Sequence, residues 1–184
     1  MGNFTNKLRG WAYDKANGVW KFMVNDGTER SVFDEGGNLY HKGIKMTPTQ
    51  SQSVLFTEAG AGTYTGTVSI PAGAMLVDVI VHATALWAAA TSAVMIVGDD
   101  VDDNGFYDAV NLKATDLLAG ESISFAQAGG KGGADVNATH VNRRVLADAR
   151  EIIGVITSVG AGTTGRTLMT VVYTVPEASA AVKS

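Results

Sequence analysis

Polar and apolar residues alternate along much of the chain after residue 50. In residues 63–70, Tyr64, Gly66, Val68 and Ile70 fall on one side, and Thr or Ser residues fall on the other. A period of two is the mark of a half-buried β-strand. Residues 75–84 continue the pattern. There the predicted apolar face comprises Met75, Val77, Val79, Val81 and Ala83, and the polar face comprises Asp78, His82 and Thr84.

Further strand-like runs follow, each bounded by Gly or Asp clusters. They cover residues 91–98, 121–125, 151–159 and 166–175. Six or more short antiparallel strands are typical of a sandwich or barrel, so the predicted fold class is all-β, an antiparallel β-sandwich. Residues 141–150 are the helix candidate, and we expect that helix to be short or absent.

The first 50 residues contain a separate strand pattern. The runs 19–25 and 28–33 are separated by Asp26-Gly27, and Asp-Gly between β-prone runs predicts a hairpin because both residues of a type I′ turn need positive φ. A second turn at 34–38 leads into 39–42, which predicts a three-stranded meander. Units below about 40 residues rarely hold together alone. We therefore expect its aromatic residues to be buried against the second part, another copy or a different protein.

Charge and aromatic content divide the chain near residue 50. Residues 1–50 hold 7 basic and 5 acidic residues and 7 of the 14 aromatics, which leaves 7 basic and 13 acidic residues in 51–184. The polar stretch 46–52, which includes a proline, is typical of a linker. We predict an N-terminal arm with a hairpin meander at 1–50 and a β-sandwich domain at 51–184.

The N-terminal aromatics have two interpretations. They form a local core, or they anchor the arm to a partner, since Trp and Tyr are enriched at the energetic centres of interfaces. The two interpretations merge if the partner completes the core. The candidate partner-binding residues are Trp11, Tyr13, Trp20, Phe22, Phe33 and Tyr40.

Composition excludes several classes of function. The 184 residues carry a net charge of −4, which provides no basic surface for nucleic acid. There is no cysteine, so disulfides, thiolate nucleophiles and Cys-ligated zinc are excluded. The most apolar stretch, 85–97, is too short to span a membrane, which needs roughly 18 apolar residues. We expect no nucleic-acid partner and no membrane segment.

Two motifs resemble ligand-binding sequences. GAGTTG at 160–165 matches the dinucleotide-binding pattern, but a β run follows it where that motif needs a helix. We interpret it as a hairpin loop. From Asp100 the Asp-rich run 99–108 begins like an EF-hand, yet Asn111 stands where that loop has Glu. Either a solvated acidic turn or a calcium site fits this run, because Asp, Asn and Gly also favour tight turns.

No arrangement of residues indicates catalysis. The three histidines lie far apart, and the metalloprotease and nucleophile-elbow motifs are absent. The GGKGG run at 129–133 lacks the P-loop spacing and is expected to be a flexible loop. We predict that the protein is not an enzyme and holds no cofactor, although a fold can assemble a catalytic triad from distant residues.

Several turn and strand motifs resemble head decoration, or cement, proteins of tailed bacteriophages. The resemblance covers roughly residues 53–176. Its motifs are TVSIPAGA (67–74), VGDDVDDNGF (97–106), AGESISF (119–125), IIGVIT (152–157) and GRTLMTVVY (165–173). It implies a jelly-roll-like sandwich on the outer surface of the virion, often a homotrimer, with extended arms over neighbouring major capsid subunits.

The resulting hypothesis is a structural virion protein that stabilises a capsid by clamping neighbouring major capsid protein subunits. The expected partners are the major capsid protein and other copies of the chain, with a trimer favoured. The alternative is a tail-fibre or receptor-binding sandwich that recognises cell-surface glycans.

Overall fold

A computed structural model describes residues 10–14, 19–23, 29–33, 39–41, 44–46, 49–137 and 143–175. For the strands before residue 49 the description is of the backbone. The chain divides into two compact units, Met1–Pro48 and Thr49–Ser184. Each unit is all-β and is treated by itself below.

Unit 1 is a five-stranded antiparallel meander in which each strand pairs with the next. Its strands are β1 (Gly10–Asp14), β2 (Val19–Met23), β3 (Glu29–Phe33), β4 (Leu39–His41) and β5 (Ile44–Met46).

The predicted hairpin is confirmed by the pairing of β2 with β3. Trp20 pairs with Phe33 and Phe22 with Ser31, as a two-residue Asp26-Gly27 turn predicts, but a bulge between Phe22 and Met23 shifts the register nearer the turn, where Met23 pairs with Glu29. That turn itself lies outside the described residues. The prediction of three strands was too low, because β1 and β5 extend the sheet on either side. Both are short, and strands of three to five residues leave little alternation to detect.

Unit 2 is a sandwich of two four-stranded antiparallel sheets. The first sheet has the order β11-β8-β13-β6, and the second has the order β10-β9-β12-β7. The eight strands are β6 (Thr49–Thr57), β7 (Gly62–Ile70), β8 (Met75–Ala85), β9 (Ser92–Asp99), β10 (Tyr107–Asn111), β11 (Ser122–Ile123), β12 (Arg150–Val159) and β13 (Arg166–Thr174).

This strand order is that of a jelly roll. Except for β9 and β10, successive strands alternate between the two sheets, and the last strand, β13, returns between β6 and β8. Eight strands wound in this way form two Greek keys across a double sheet. The predicted jelly-roll-like sandwich is confirmed.

The inward faces of the two sheets form one continuous core. The alternation predicted for β7 is confirmed, since Gly66, Val68 and Ile70 are buried while the Thr and Ser residues between them are exposed. The alternation predicted for β8 was wrong at its start. A bulge opposite Val172/Tyr173 shifts the phase, so that Leu76 is buried while Met75 is exposed.

Three connections differ from expectation. Residues 49–52 of the predicted linker belong to β6, which bonds to β13 along its whole length. Residues 160–165 join strands of different sheets, so the predicted hairpin loop is a crossover between sheets. Residues 129–131 form a short 3-10 turn where we expected a flexible loop. Pairing between distant strands decides the first two cases, and it leaves no local trace in the sequence, whereas the 3-10 turn is closed locally by the Lys131 amide and the Ala128 carbonyl.

The strand β10 was not predicted, because its five residues follow the Asp-rich run without alternation. Within 143–150, the described part of the helix candidate, the backbone is not helical. Among the residues that the structure describes, there is no helix with the length and apolar character needed to cross a membrane.

Candidate functional site

Backbone register groups most of the candidate partner-binding positions of unit 1. Tyr13 pairs with Trp20, and Trp20 pairs with Phe33. Two residues along, Trp11 pairs with Phe22. Directly paired positions, and positions two apart on one strand, share a face of the sheet. The register therefore places these five positions on one face, spread over three neighbouring strands.

The sixth candidate, Tyr40, is at a position of the opposite face. It pairs with Val32, which pairs with Lys21, and Lys21 lies between Trp20 and Phe22 along β2. A single flat partner surface contacts one face of a sheet at a time. The participation of all six residues in partner binding stays a prediction, now with five positions grouped and one apart.

One end of the sandwich carries a buried carboxylate bonded to two arginines, and we call it the arginine end. Asp99 terminates β9 and is 3% exposed. Its Oδ2 accepts hydrogen bonds from Arg143 Nε and Nη2 at 3.0 and 2.8 Å, and from Arg150 Nη1 at 3.2 Å. Its Oδ1 accepts the backbone amides of Val101 and Asp102. Asp99 thus closes the turn that follows β9.

These contacts determine the ionisation of Asp99. Burial acts to raise the pKa of its carboxyl, but the bonds from the Val101 amide and from Arg143 outweigh burial and hold this pKa below its ordinary value. Asp99 is therefore a fixed anion beneath two cations. Gly98 is required beside it, because a Cβ there would collide with the backbone carbonyl of Asp102.

A second carboxylate at the arginine end behaves in the opposite way. Asp135 Oδ2 lies 3.7 Å from Arg143 Nε, beyond hydrogen-bond distance. Burial raises the pKa of Asp135, and the neighbouring carboxylates of Asp102 and Asp99 add to this, so that the pKa stays raised despite Arg143.

One residue of the Asp-rich run, Asp99, therefore forms ion pairs within the fold. Of the run, Asp99 faces inward to the arginines, while Asp100, Asp103 and Asp108 are exposed. Among the described residues, no group of three or more His, Asp or Glu side chains is placed to hold a metal ion.

The other end of the sandwich buries a carboxylate among backbone amides, and we call it the amide end. Glu58 directly follows β6 and is 2% exposed. Its Oε2 accepts the amides of Ala88, Gly165 and Thr164 at 2.9, 2.9 and 3.2 Å. Burial acts to raise the pKa of Glu58, but these backbone bonds outweigh burial and lower it below 4.5. One carboxylate thereby ties together three connections between strands.

The amide end explains the glycine motif at 160–165. A Cβ at Gly162 would collide with Glu58 Oε1, and one at Gly165 would collide with the Trp87 ring. Trp87 is itself buried, donates from Nε1 to Thr167 Oγ1 at 2.9 Å, and packs edge-on against Tyr64 at 5.0 Å between ring centroids. The glycines permit close packing, and a strand follows them where a nucleotide site needs a helix.

A shallow groove lies beside the 3-10 turn at 129–131, with a volume of about 530 Å³. Lys131 crosses it, with Nζ 2.9 Å from Asp116 Oδ2 and 3.0 Å from the carbonyl of Ala109. Glu121, which also lines the groove, accepts the backbone amide of Leu118. The charged groups of the groove already have partners within the fold.

Histidine contributes little to these clusters. His82 shares a hydrogen bond of 2.8 Å between Nδ1 and Ser122 Oγ, as expected for a satisfied histidine. The side chains of His41 and His140 lie outside the described part of the chain.

The sequence reasoning missed both Glu58 and the arginine partners of Asp99. Arg143 and Arg150 lie 44 and 51 residues from Asp99 along the chain. The partners of Glu58 are backbone amides, which every residue except proline carries. The available signal for Asp99 was its place at the end of an apolar strand, where an unpaired charge is costly.

Comparison with known proteins identifies similar folds. No protein-family model matches the chain, and no curated protein sequence matches it. Among solved structures, a chain of the "acidic stable capsid structure of Helicobacter pylori bacteriophage KHP30" matches with a TM-score of 0.51 and 13% identity, covering 72% of this chain and 92% of that one.

Two further phage structures contain similar chains. One is the capsid of Ralstonia phage GP4, with a TM-score of 0.43 and 19% identity over 75% of this chain and 95% of that one. The other is the cyanophage Pam1 capsid asymmetric unit, with a TM-score of 0.43 and 19% identity over 71% of this chain and 85% of that one. At 13% identity and a TM-score of 0.51, what the KHP30 match shows is a shared fold.

Proposed function

We propose that this chain is a structural virion protein of a bacteriophage that decorates the outer surface of the capsid and stabilises it by clamping neighbouring major capsid subunits. The observation that carries the proposal is the fold similarity to a chain of the phage KHP30 capsid structure, at a TM-score of 0.51 over 92% of that chain. In this role the protein acts by binding and needs no catalysis.

The extent of the match supports different roles for the two units. It covers 72% of this chain, and unit 2, Thr49–Ser184, makes up 136 of the 184 residues, which is close to the same share. We assign the sandwich to the capsid-type fold and unit 1 to attachment.

Unit 1 suits attachment because it presents aromatic positions in a regular array. Five of them share one face of the five-stranded sheet, and Trp20 occupies the middle of a paired row between Tyr13 and Phe33. Aromatic residues at the centre of an interface contribute most of its binding energy. A protein that binds only the assembled lattice then stabilises that lattice by mass action.

The test is particle binding by full-length variants. Trp20→Ala should weaken binding to capsids that lack the protein by roughly 30-fold or more, the effect of losing an interface hot spot of about 2 kcal/mol. Val32→Ala is the control, because Val32 is not a candidate partner-binding residue and its position, paired with Lys21, is on the opposite face of the same sheet. Binding is measured by co-sedimentation, and the thermal melt of each variant confirms that the sandwich remains folded.

The outcomes separate the proposal from its competitors. Unchanged sedimentation of the Trp20→Ala protein, together with unchanged sedimentation of a protein lacking residues 1–48, would contradict attachment through unit 1. Binding to glycans without binding to particles would favour the tail-fibre alternative.

A further inference from the structure

The sandwich has two flanks, where the edge strands of its two sheets lie one above the other. One flank is formed by β10 and β11, and the other by β6 and β7. An edge strand exposes unpaired backbone amides and carbonyls that can pair with another chain, and proteins protect such edges with short strands, bulges, charges, proline or a covering loop.

The flank of β10 and β11 has most of these protections. β11 is two residues long, and β10 is five residues long and bulged between Tyr107 and Val110. Beyond β10, Gly132 pairs with Tyr107, and Lys131 bonds to the carbonyl of Ala109. Exposed Asp108 places a charge on this edge. We call this the guarded flank.

Among the described residues of unit 2, the flank of β6 and β7 has none of them. Each strand is nine residues long and pairs in an uninterrupted register with its single neighbour. Together their eighteen residues include no Asp, Glu, Lys, Arg or Pro. Within the described part of the chain, no strand pairs with the outer edge of either. We call this the open flank, and its strands are about 30 Å long at roughly 3.3 Å per residue.

Side-chain exposure also distinguishes β6. Its first five residues are all exposed, although alternate residues of a sandwich strand should face the core. Gln52 has an inward position, where its Nε2 donates to Tyr173 Oη at 2.6 Å. Farther along, Leu55 is 55% exposed on the outer face. Side chains of β6 are therefore exposed on both faces of the strand, beside its unpaired edge.

We propose that the open flank pairs, strand to strand, with the open flank of a second copy of this chain. The absence of charge is the argument for a second copy. Around a two-fold axis the same strand meets itself, and in a ring β6 meets β7 of the next copy. Like charges placed opposite each other are destabilising, so a flank whose two strands carried one sign of charge would repel its own copy in either arrangement. A flank with no ionisable Asp, Glu, Lys or Arg side chain can meet itself without that cost.

Strand direction permits the pairing in the favoured antiparallel sense. β6 and β7 are joined by residues 58–61 alone, so they run in opposite directions. A two-fold axis then pairs β6 with β6 of the other copy, and a three-fold ring pairs β6 with β7 of the next. The inference gives the oligomer of the proposed function a specific contact, but its test is independent of particle binding.

The backbone identifies which amides of β6 are available. The amide of Glu58 donates to the carbonyl of Gly165, in register with the pairing of Thr57 with Arg166. Ladder bonds alternate along an antiparallel pair, so the even-numbered residues of β6 bond to β13. The amides of the odd-numbered residues, such as Ser51, point outward.

The experiment measures the mass of the full-length protein by analytical ultracentrifugation over a concentration series. The wild-type protein should have two or three times the chain mass of 19.1 kDa. Ser51→Lys/Thr65→Lys adds one charge to each exposed edge, and should raise the dissociation constant at least tenfold because like charges then meet. Ser51→Pro, which removes an outward amide without removing a ladder bond, should have the same direction of effect.

The matched control is Thr157→Lys/Ala119→Lys. It adds the same charge at exposed positions, one on the central strand β12 and one beside the guarded flank, and should leave the mass unchanged. Thermal melts show whether each variant is folded. A monomeric wild-type protein, or an edge variant that is folded and retains the wild-type mass, would overturn the proposal. A monomer that still binds particles would overturn it while leaving the proposed function standing.

Discussion

The two ends of the sandwich each bury one carboxylate, but they surround it with different partners. At the arginine end, Asp99 receives bonds from two guanidinium groups, one of them on the buried Arg150. At the amide end, Glu58 receives bonds from backbone amides. The difference lies in what remains when the carboxylate is removed, which is buried positive charge at one end and unsatisfied neutral donors at the other.

The largest effect is expected from Asp99→Ala. It leaves Arg150, whose side chain is 3% exposed, without its counter-ion, and breaking a buried pair in this way costs about 3–5 kcal/mol. The free energy of unfolding is measured by urea denaturation at pH 7. Asp100→Ala, at the exposed neighbouring position, is the control and should change stability by less than about 0.5 kcal/mol. Equal effects of the two substitutions would mean that the arginine end is solvated.

A smaller effect is expected from Glu58→Gln. The amide retains one acceptor oxygen but loses the charge that strengthens three bonds, so the expected loss is about 1–3 kcal/mol at pH 7. The control is Glu121→Gln, since Glu121 is exposed and accepts a single amide. A loss of unfolding free energy equal to that of Asp99→Ala would mean that the two ends depend equally on their buried carboxylates.

The pH dependence of Glu58→Gln sharpens this prediction. The pKa of Glu58 is lower in the folded protein than its ordinary value of 4.5. The stabilisation by ionised Glu58 is therefore complete above the unfolded pKa and is lost as the pH falls through the folded pKa. The difference between the wild-type and Glu58→Gln proteins should shrink as the pH falls below 4.5. A difference that is constant from pH 7 to pH 3 would contradict the charged state of Glu58.

A comparison of strands β7 and β8 shows which features could be predicted from the sequence. The strand β7 was predictable residue by residue, because its alternation is complete and one of its faces is buried along most of the strand. For β8 the prediction failed where a bulge against β13 shifts the phase at Leu76. A bulge depends on the partner strand, and the partner of Leu76, Tyr173, lies 97 residues away along the chain.

The partners of the two buried carboxylates could not be predicted from the sequence, for a related reason. Asp99 was visible as part of an acidic run, and its arginines were visible as basic residues, but only the jelly-roll winding brings them together. Glu58 is paired with amides of residues 88, 164 and 165, and amides carry no sequence signature. The register of unit 1 was predictable in part. The Asp-Gly turn predicts the pairing of Trp20 with Phe33, but it does not predict the strands outside the hairpin.

The smallest expected effect comes from Asp135→Asn at the arginine end. The raised pKa of Asp135 means that its ionised form is disfavoured in the folded protein. A group of this kind contributes stability below its unfolded pKa and loses that contribution as the pH rises through its folded pKa. A neutral amide avoids the cost of burying a charge and the repulsion from Asp102 and Asp99, so Asp135→Asn should stabilise the protein at pH 7 by up to about 1 kcal/mol.

This gain should diminish as the pH falls, because wild-type Asp135 then becomes protonated and resembles the amide. Urea denaturation at pH 7 and pH 4 measures it, with the exposed Asp108→Asn as the control. A loss of stability at pH 7 would mean that the attraction of Arg143, 3.7 Å away, exceeds the costs of burial and repulsion. In that case Arg143 would hold two carboxylates, and the arginine end would be a network whose stability does not depend on Asp99 alone.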